Sequence, residues 1–239
     1  MYGIADLHGE VKCVTNWIES MEPHYSKREE KLLVLGDAGM NYQLDKKDYV
    51  LKNTLQNAIN QAKNRGITIE LLFVRGNHEC RPENVGTYER VEKYGDIVYV
   101  EKDFPNLMFL KDGGIYSIDG DSYIVIGGGF SDDFFDRLLN GYGIWADQEL
   151  SAEEFQAILD NPNLPGNFTV LSHVAPSCVS QQIRQVDTLS LTEKNLQRFF
   201  EKYHDRINGW LLGHYHMERR MDYRETEFHV FYHNIQQLR

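Results

Sequence analysis

The sequence lacks the segments that mark membrane-spanning and exported proteins. No run of about 18 apolar residues occurs, and the amino terminus enters a strand-like segment instead of a basic region followed by an apolar stretch. Only three cysteines are present, Cys13, Cys80 and Cys178, and no two of them form a C-x-x-C pair. An odd number of widely spaced cysteines is typical of a reducing compartment. We therefore expect no membrane insertion and a cytoplasmic location.

Positive charge is also scarce. Lys and Arg number 25 against 36 Asp and Glu, which gives a net charge of −11. A surface of this sign disfavours a long polyanion held through its backbone phosphates. Nucleic acid is therefore not an expected partner.

No linker rich in Pro, Gly or Ser and no internal repeat interrupts the 239 residues. The hydrophobic fraction of 41% and the charged fraction of 26% are those of an ordinary globular protein. A chain of this length can build one large core. We predict a single α/β domain over residues 1–239.

Short apolar runs alternate with amphipathic stretches in the first third of the chain. Strands are predicted at Tyr2–Ala5, Lys31–Leu35 and Ile67–Val74, with a helix after Gly9 and another over Tyr49–Lys63. This β-α-β-α-β order implies parallel pairing of the three strands.

The pattern changes after residue 100. Strand-like runs at Asn106–Leu110, Gly114–Ile118 and Ser122–Ile126 are separated by Asp112-Gly113 and Asp119-Gly120, both strong hairpin signals. We expect antiparallel pairing here. The rest of the chain is predicted to complete a mixed sheet or a pair of sheets with helices outside. One helix is predicted to start at the Ser151/Glu154 capping box and another to cover Thr192–Tyr203. The remaining strands are predicted at Phe168–Leu171, Ile207–Leu212 and Glu227–Phe231.

Five of the predicted strands run directly into side chains that can bind metal ions. In chain order these side chains are Asp6 and His8, then Asp37, then Asn77 and His78, then His173, and finally His214 and His216. Because the carboxyl ends of strands in α/β sheets open onto the crevice where ligands bind, groups far apart in sequence can meet there.

The spacing and the residue types favour a pair of divalent metal ions. Asp6 and His8 are two residues apart, as are His214 and His216, which on an extended backbone puts both side chains on one side. Mixed imidazole, carboxylate and amide ligands suit Mn²⁺, Fe or Zn²⁺ better than Ca²⁺, and we favour Mn²⁺. Asp37 can offer one oxygen to each ion. Two ions about 3.5–4 Å apart can activate a shared hydroxide for attack on a phosphoryl group.

Each motif alone has an ordinary structural explanation. A single histidine at a strand end is commonly a hydrogen-bonded structural residue, and Gly36-Asp37 or Gly76-Asn77 alone is typical of a turn. The joint occurrence of these motifs, in order and at strand ends, indicates a metal centre. The other histidines lack this pattern and are expected to be structural or solvated: His24, His204, His229 and His233.

Read along the chain, these motifs resemble the five signature blocks of the calcineurin-like metallophosphoesterases. The matching residues are Asp6-Leu7-His8, Gly36-Asp37, Gly76-Asn77-His78-Glu79, His173 and Gly213-His214-Tyr215-His216. The resemblance spans nearly the whole chain. It implies a four-layer α/β/β/α sandwich in which two packed mixed β-sheets are flanked by helices.

The resemblance also implies how the ligands are divided between the two ions. One ion would be held by Asp6, His8, Asp37 and His216, and the other by Asp37, Asn77, His173 and His214. His78 resembles the active-site histidine of the family, which protonates the leaving oxygen or stabilises the transition state. A purely structural hydrogen bond is the alternative role for His78.

The chain departs from the protein serine/threonine phosphatases, which the stretch Arg75–Cys80 also resembles. In that branch the second block continues Gly-Asp-x-Val-Asp-Arg-Gly, whereas Gly36-Asp37 is followed here by Ala38-Gly39-Met40, so the acid and the phosphate-binding arginine are missing. The chain is more similar to small bacterial or phage metallophosphoesterases. Arg137 is a candidate replacement within the stretch Gly127–Trp145, which is expected to form a wall or lid, although a surface ion pair is favoured for it.

The function indicated is metal-dependent hydrolysis of a phosphomonoester or phosphodiester. The expected substrate is a small phosphorylated compound, such as a nucleotide, or a phosphoprotein. The alternative is a catalytically silent protein-binding scaffold of the same fold, and the intact ligand set with His78 argues against it. A binuclear-metal nuclease would need a basic groove or an added domain, and neither is visible. The ester type, the phosphate-clamping residues and the oligomeric state are left open.

Overall fold

The computed structural model of the protein describes residues 1–23, 28–140, 143–184 and 189–238, so His24 lies outside the described residues. A seven-stranded sheet and a six-stranded sheet form its two central layers. Both sheets contain parallel and antiparallel pairs.

The first third of the chain forms the predicted alternation. Strands β1 (Tyr2–Ile4), β2 (Arg28–Leu35) and β3 (Ile67–Val74) are separated by helices α1 (Lys12–Glu19) and α2 (Lys46–Asn64). The three strands pair in parallel, which confirms the expectation. Their carboxyl ends therefore lie at the same edge of the sheet.

The two hairpin signals in the middle of the chain have different outcomes. Asp119-Gly120 joins β7 (Ile115–Ile118) to β8 (Asp121–Ile126) as an antiparallel hairpin, as predicted. Asp112-Gly113 instead leads from the first sheet to the second, so the hairpin prediction there is wrong. The Asp112 carboxylate accepts hydrogen bonds from Arg75 Nε at 2.9 Å and from Gly127 N at 2.8 Å, and these contacts fix the crossing.

The remaining strands complete the two sheets. They are β4 (Tyr88–Lys93), β5 (Asp96–Glu101), β6 (Phe104–Leu110), β9 (Phe168–Ser172), β10 (Ile207–Leu212), β11 (Arg219–Tyr223), β12 (Thr226–Val230) and β13 (Gln236–Gln237). The first sheet has the order β13-β1-β2-β3-β6-β5-β4 and the second the order β11-β12-β10-β9-β8-β7. β6 pairs in parallel with β3 and antiparallel with β5, a strand that lies outside the region where antiparallel pairing was expected.

Four further helices follow the central strands. α3 (Phe134–Asn140) lies inside the stretch Gly127–Trp145, where a wall or lid was expected and no helix was predicted, and α5 (Ser177–Arg184) was not predicted either. α4 (Ala152–Leu159) begins at the predicted capping box, and α6 (Leu191–Tyr203) begins at a second one formed by Ser190 and Glu193. No helix in the described part of the chain is long and apolar enough to cross a membrane.

Three layers of apolar side chains hold the sandwich together. Leu33 and Leu72 of the first sheet meet Val125 and Leu171 of the second between the sheets. The opposite face of the first sheet packs on α1 and α2, and that of the second packs on α4, α5 and α6. Because β2 and β3 are buried on both faces near their carboxyl ends, they read as continuous apolar runs. The four-layer α/β/β/α prediction is confirmed.

Candidate metal centre

The turns after five strands bring the eight predicted side chains to one edge of the molecule. Five of these residues have φ in the left-handed region, with values from 45° to 72°: Asp6, His8, Asp37, His214 and His216. Such angles are uncommon outside glycine and cost energy, and they concentrate at functional sites. The backbone is strained at the points where it turns these side chains toward each other.

The first group of side chains is Asp6, His8 and His216. One ligand atom of each lies within 4.8 Å of the other two, and His8 Nε2 is 3.0 Å from His216 Nε2. Two imidazole nitrogens at this distance need a proton or a cation between them. Asp6 Oδ1 accepts a hydrogen bond from His214 N at 3.0 Å, while the buried Asp6 Oδ2 has no hydrogen-bond partner among the described residues. That oxygen is available to a cation.

The second group surrounds the side-chain oxygen of Asn77. Asn77 Oδ1 is 2.8 Å from His173 Nε2 and 3.2 Å from His214 Nδ1. The Nδ1 atom of His173 bonds to the carbonyl oxygen of Leu35 at 2.9 Å, which directs Nε2 into the site. A backbone partner of this kind commonly orients a metal-binding imidazole.

Asp37 lies between the two groups. It belongs to one cluster with Asp6 and His173 and to another with His8 and His78. Its Oδ2 atom is 3.3 Å from His173 Nε2, and its Oδ1 atom accepts a hydrogen bond from His78 N at 3.0 Å. The carboxylate thus lies within reach of side chains from both groups.

The electrostatics of the site favour an added cation. Asp6 and Asp37 are 0% and 2% exposed, and in the described part of the chain Asp37 has ion pairs only with histidines. Burial raises the pKa of Asp6 to about 7. Burial alone would lower the pKa of His173, but the charge and hydrogen bond of Asp37 raise it to about 9. A proton on His173 therefore serves the same charge balance that a metal ion would serve.

These observations test whether the residues suit metal ions, and they do. The donors are imidazole nitrogens, carboxylate oxygens and an amide oxygen, the negative charge is buried, and one carboxylate oxygen is unpaired. This donor set matches divalent first-row metals. The chain therefore contains candidate ligand groups for divalent metal ions at this edge.

His78 lies beside the two groups and contacts an arginine. Arg137 Nη1 is 2.5 Å from His78 Nδ1, and His78 Nε2 is 3.7 Å from Asp37 Oδ2. Because a guanidinium only donates, His78 Nδ1 must accept, and the proton of the neutral ring is on Nε2, on the side of Asp37. Burial and the charge of Arg137 lower the pKa of His78 even though Asp37 opposes them.

Arg137 has a different environment from the one favoured by the sequence. An ion pair with Asp133 exists at 3.8 Å, but the guanidinium is 8% exposed and therefore not at the surface. It packs on the ring of Tyr42, 5.1 Å from the ring centre, and Nη2 donates to Gly143 O at 2.5 Å. The short helix α3 delivers this side chain to the site, and no local pattern predicted that helix.

Two further residues support the site without belonging to the ligand set. The buried carboxylate of Glu79 accepts hydrogen bonds from the backbone N–H groups of Gly39, Met40 and Gly76, and so ties the turn after β2 to the turn after β3. His233, which the sequence placed among the structural or solvated histidines, donates from Nε2 to the carbonyl oxygen of Asp6 at 2.7 Å. Neither contact has a signal in the local sequence.

Comparisons with known proteins agree with this fold. The chain is similar in structure to a candidate 5′-nucleotidase from Staphylococcus aureus, with 13% identity and a TM-score of 0.50 over 98% of this chain and 49% of that one. It is also similar to the phosphopantetheinyl hydrolase of Mycobacterium tuberculosis, with 12% identity and a TM-score of 0.44 over 97% of this chain and 89% of that one. Identities this low bear on the fold alone. No curated protein sequence matches the chain significantly.

The sequence profile of one family matches most of the chain. The profile is that of the calcineurin-like phosphoesterases, and the match covers residues 2–218, from β1 to the residue before β11. This range includes all eight of the side chains described above. The chain therefore belongs to the calcineurin-like phosphoesterase family.

Proposed function

We propose that the protein hydrolyses a small phosphoester with the help of two divalent metal ions, Mn²⁺ being favoured. The observation that carries the proposal is the convergence of six other potential ligands around the buried carboxylate of Asp37. Asp6, His8, Asp37 and His216 would hold one ion, and Asp37, Asn77, His173 and His214 the other. The family and the unpaired Asp6 oxygen support this division.

Bound metal ions supply Lewis-acid stabilisation of phosphoryl oxygens and a nucleophilic water at neutral pH. The chain itself supplies orientation and hydrogen bonding. His78 is proposed to donate its Nε2 proton in a hydrogen bond to the developing charge on the leaving oxygen, since Arg137 holds Nδ1 as an acceptor. Removal of one such donor commonly costs roughly 100-fold or more in rate.

Arg137 is proposed to take the place of the missing phosphate-binding arginine. Its two described hydrogen bonds use two of the five N–H groups of the guanidinium, which leaves donors for a phosphoryl oxygen beside His78. A guanidinium matches the oxygens of a phosphoryl group better than an ammonium does. The net charge of −11 supports a small substrate over a nucleic acid.

The experiment is hydrolysis of 4-nitrophenyl phosphate and bis(4-nitrophenyl) phosphate by protein stripped of metal and reloaded with Mn²⁺. Asp37→Asn should lose roughly 100-fold or more in kcat/KM and should bind fewer ions after dialysis, because the bridging carboxylate contacts both. Asp103→Asn, an exposed position between β5 and β6, is the matched control. Preference between the two esters assigns monoester or diester chemistry.

The outcomes separate the two functions that the sequence allowed. Metal-dependent turnover that Asp37→Asn loses and Asp103→Asn keeps supports the hydrolase. Tightly bound metal without turnover on either ester would contradict it and favour the scaffold. Full activity and full metal content in Asp37→Asn would contradict the bridging role.

A further inference from the structure

A cavity of about 640 Å³ opens from the metal centre toward the start of α2. His8, Asp37 and His78 line one end of it, together with Arg137. Pockets that enclose small molecules have volumes of about 300–1,000 Å³. The cavity is therefore large enough for the organic part of a substrate whose phosphoryl group lies at the metals.

Residues at the start of α2 form another part of the lining. Lys46, Lys47, Val50 and Leu51 all line the cavity, and Lys46 with Val50 and Lys47 with Leu51 are neighbours four residues apart on the helix surface. Val50 is 51% exposed, although it stands in a concave site. The ring of Tyr42, held against Arg137, adds a flat wall nearby. A flat apolar group would cover this surface and remove it from water.

The charged side chains that line the cavity differ in whether they already have partners within the protein. The carboxylate of Asp48 is occupied within the protein, since Oδ2 accepts hydrogen bonds from Gln43 N at 2.9 Å and Leu44 N at 2.7 Å. Lys46 and Lys47 have no ion pair with any residue in the described ranges. In a chain of net charge −11, these two lysines in the lining of the cavity are available to pair with an anion.

We propose that this cavity binds the leaving group of the substrate, and that it selects small phosphoesters that carry a flat, largely apolar ring system and a second anionic group. The ring system packs on Tyr42, Val50 and Leu51. The second anion binds Lys46 and Lys47 while the reacting phosphoryl group lies beside Arg137 and His78. This inference rests on the proposed function, because it assigns a substrate class to the same site.

The test uses three probes that differ by one feature each. Adenosine 3′,5′-bisphosphate has the ring and two phosphates, adenosine 5′-monophosphate lacks the second phosphate, and ribose 5-phosphate also lacks the ring. Each competes, for the Mn²⁺-loaded full chain, with whichever of the two nitrophenyl esters the protein hydrolyses faster. We expect the bisphosphate to bind roughly tenfold more tightly than the monophosphate, the effect of one added charge-assisted hydrogen bond. The monophosphate should in turn bind more tightly than ribose 5-phosphate.

Two double variants then distinguish direct contact between the lysines and the second anion from a general effect of the protein's net charge. In Lys46→Gln/Lys47→Gln the ratio of inhibition constants for monophosphate and bisphosphate should fall to about one, since no ammonium remains to hold the second anion. Lys63→Gln/Lys194→Gln removes the same charge at exposed positions near the end of α2 and on α6, and should keep the wild-type ratio. Only ratios are compared, so a general loss of activity in a variant does not affect the reading.

Two results would overturn the proposal. One is equal inhibition by the bisphosphate and the monophosphate in the wild-type protein, and the other is an unchanged ratio in Lys46→Gln/Lys47→Gln. Failure of the proposed function is recognised separately, because the wild-type protein would then hydrolyse neither 4-nitrophenyl phosphate nor bis(4-nitrophenyl) phosphate. In that case titration calorimetry with the same three compounds still measures the affinity ratios and decides the cavity proposal.

Discussion

Replacing Gly76 with alanine should abolish most of the activity without touching a ligand. A Cβ atom at position 76 would lie 2.0 Å from Asp37 Oδ1 and 2.3 Å from Asp37 N. Ordinary contacts to a Cβ atom begin near 3.4 Å, so the two turns must separate by more than 1 Å. The carboxylate cannot escape by rotating alone, because the backbone nitrogen of Asp37 is blocked as well.

The expected loss follows from that displacement. A misplacement of about 1 Å in a catalytic group can cost roughly 100-fold in rate, so kcat/KM with 4-nitrophenyl phosphate should fall by about that factor. Overpacking of this kind destabilises a protein by about 1–3 kcal/mol, which leaves most proteins folded. Atomic absorption after dialysis should also show fewer bound metal ions, since the central carboxylate has moved.

Gly86→Ala is the matched control. A Cβ atom there meets nothing within 4 Å, so activity, metal content and melting temperature should stay near the wild-type values. The reasoning would be refuted if Gly76→Ala retained activity within about twofold of wild type, with an unchanged metal content. It would also be refuted if Gly86→Ala lost as much activity as Gly76→Ala.

Three further predictions concern other parts of the molecule. Arg137→Lys should reduce kcat/KM by roughly 10- to 100-fold, because a single ammonium lacks the planar fork of N–H groups with which the guanidinium can bind His78 and a phosphoryl group at once. The exposed Arg219→Lys should leave the rate unchanged, and equal rates in the two variants would refute this. Burial lowers the pKa of His229 from 6.5 to about 4, with Arg220 adding to the shift and Gln236 and Glu218 opposing it. As the pH falls, His229 therefore gains a proton in the unfolded chain before it does so in the folded protein, which favours unfolding. In urea titrations the free energy of unfolding of the wild type should fall by about 1–2 kcal/mol more than that of His229→Gln between pH 7 and pH 5. The same pH dependence of stability in both proteins would refute this. Ser190→Ala should lower the melting temperature by about 2–4 °C through loss of the α6 cap, and an unchanged temperature would show that the cap contributes nothing.

Many strands and helices of the sandwich could be predicted from the local pattern of apolar and polar residues. β2 and β3 are buried on both faces and give continuous apolar runs, and α4 begins at a recognisable capping box. β4 and β11 gave no such signal, because most of their residues are exposed and polar. Edge strands of this kind form through pairing with a neighbour, and nothing in their own periodicity separates them from loops.

Some features of the candidate site could likewise be predicted from the sequence, and others could not. The order of the strand-end residues placed Asp6, Asp37 and His173 at one edge, because parallel strands bring their carboxyl ends together whatever their separation in sequence. The contacts of Arg137 with His78 and of His233 with Asp6 join residues 59 and 227 positions apart. No local rule relates side chains at such distances.

The sequence by itself thus determined the parallel strands, the turns that follow them and which side chains are candidate metal ligands, since each depends on residues close along the chain. Only the tertiary structure decided that Asp112-Gly113 crosses between the sheets and that α3 delivers Arg137 to His78. It also decided that Lys46 and Lys47 face a cavity beside the metal centre. These features depend on which elements pack together, and packing is settled by the shape and burial of the whole chain.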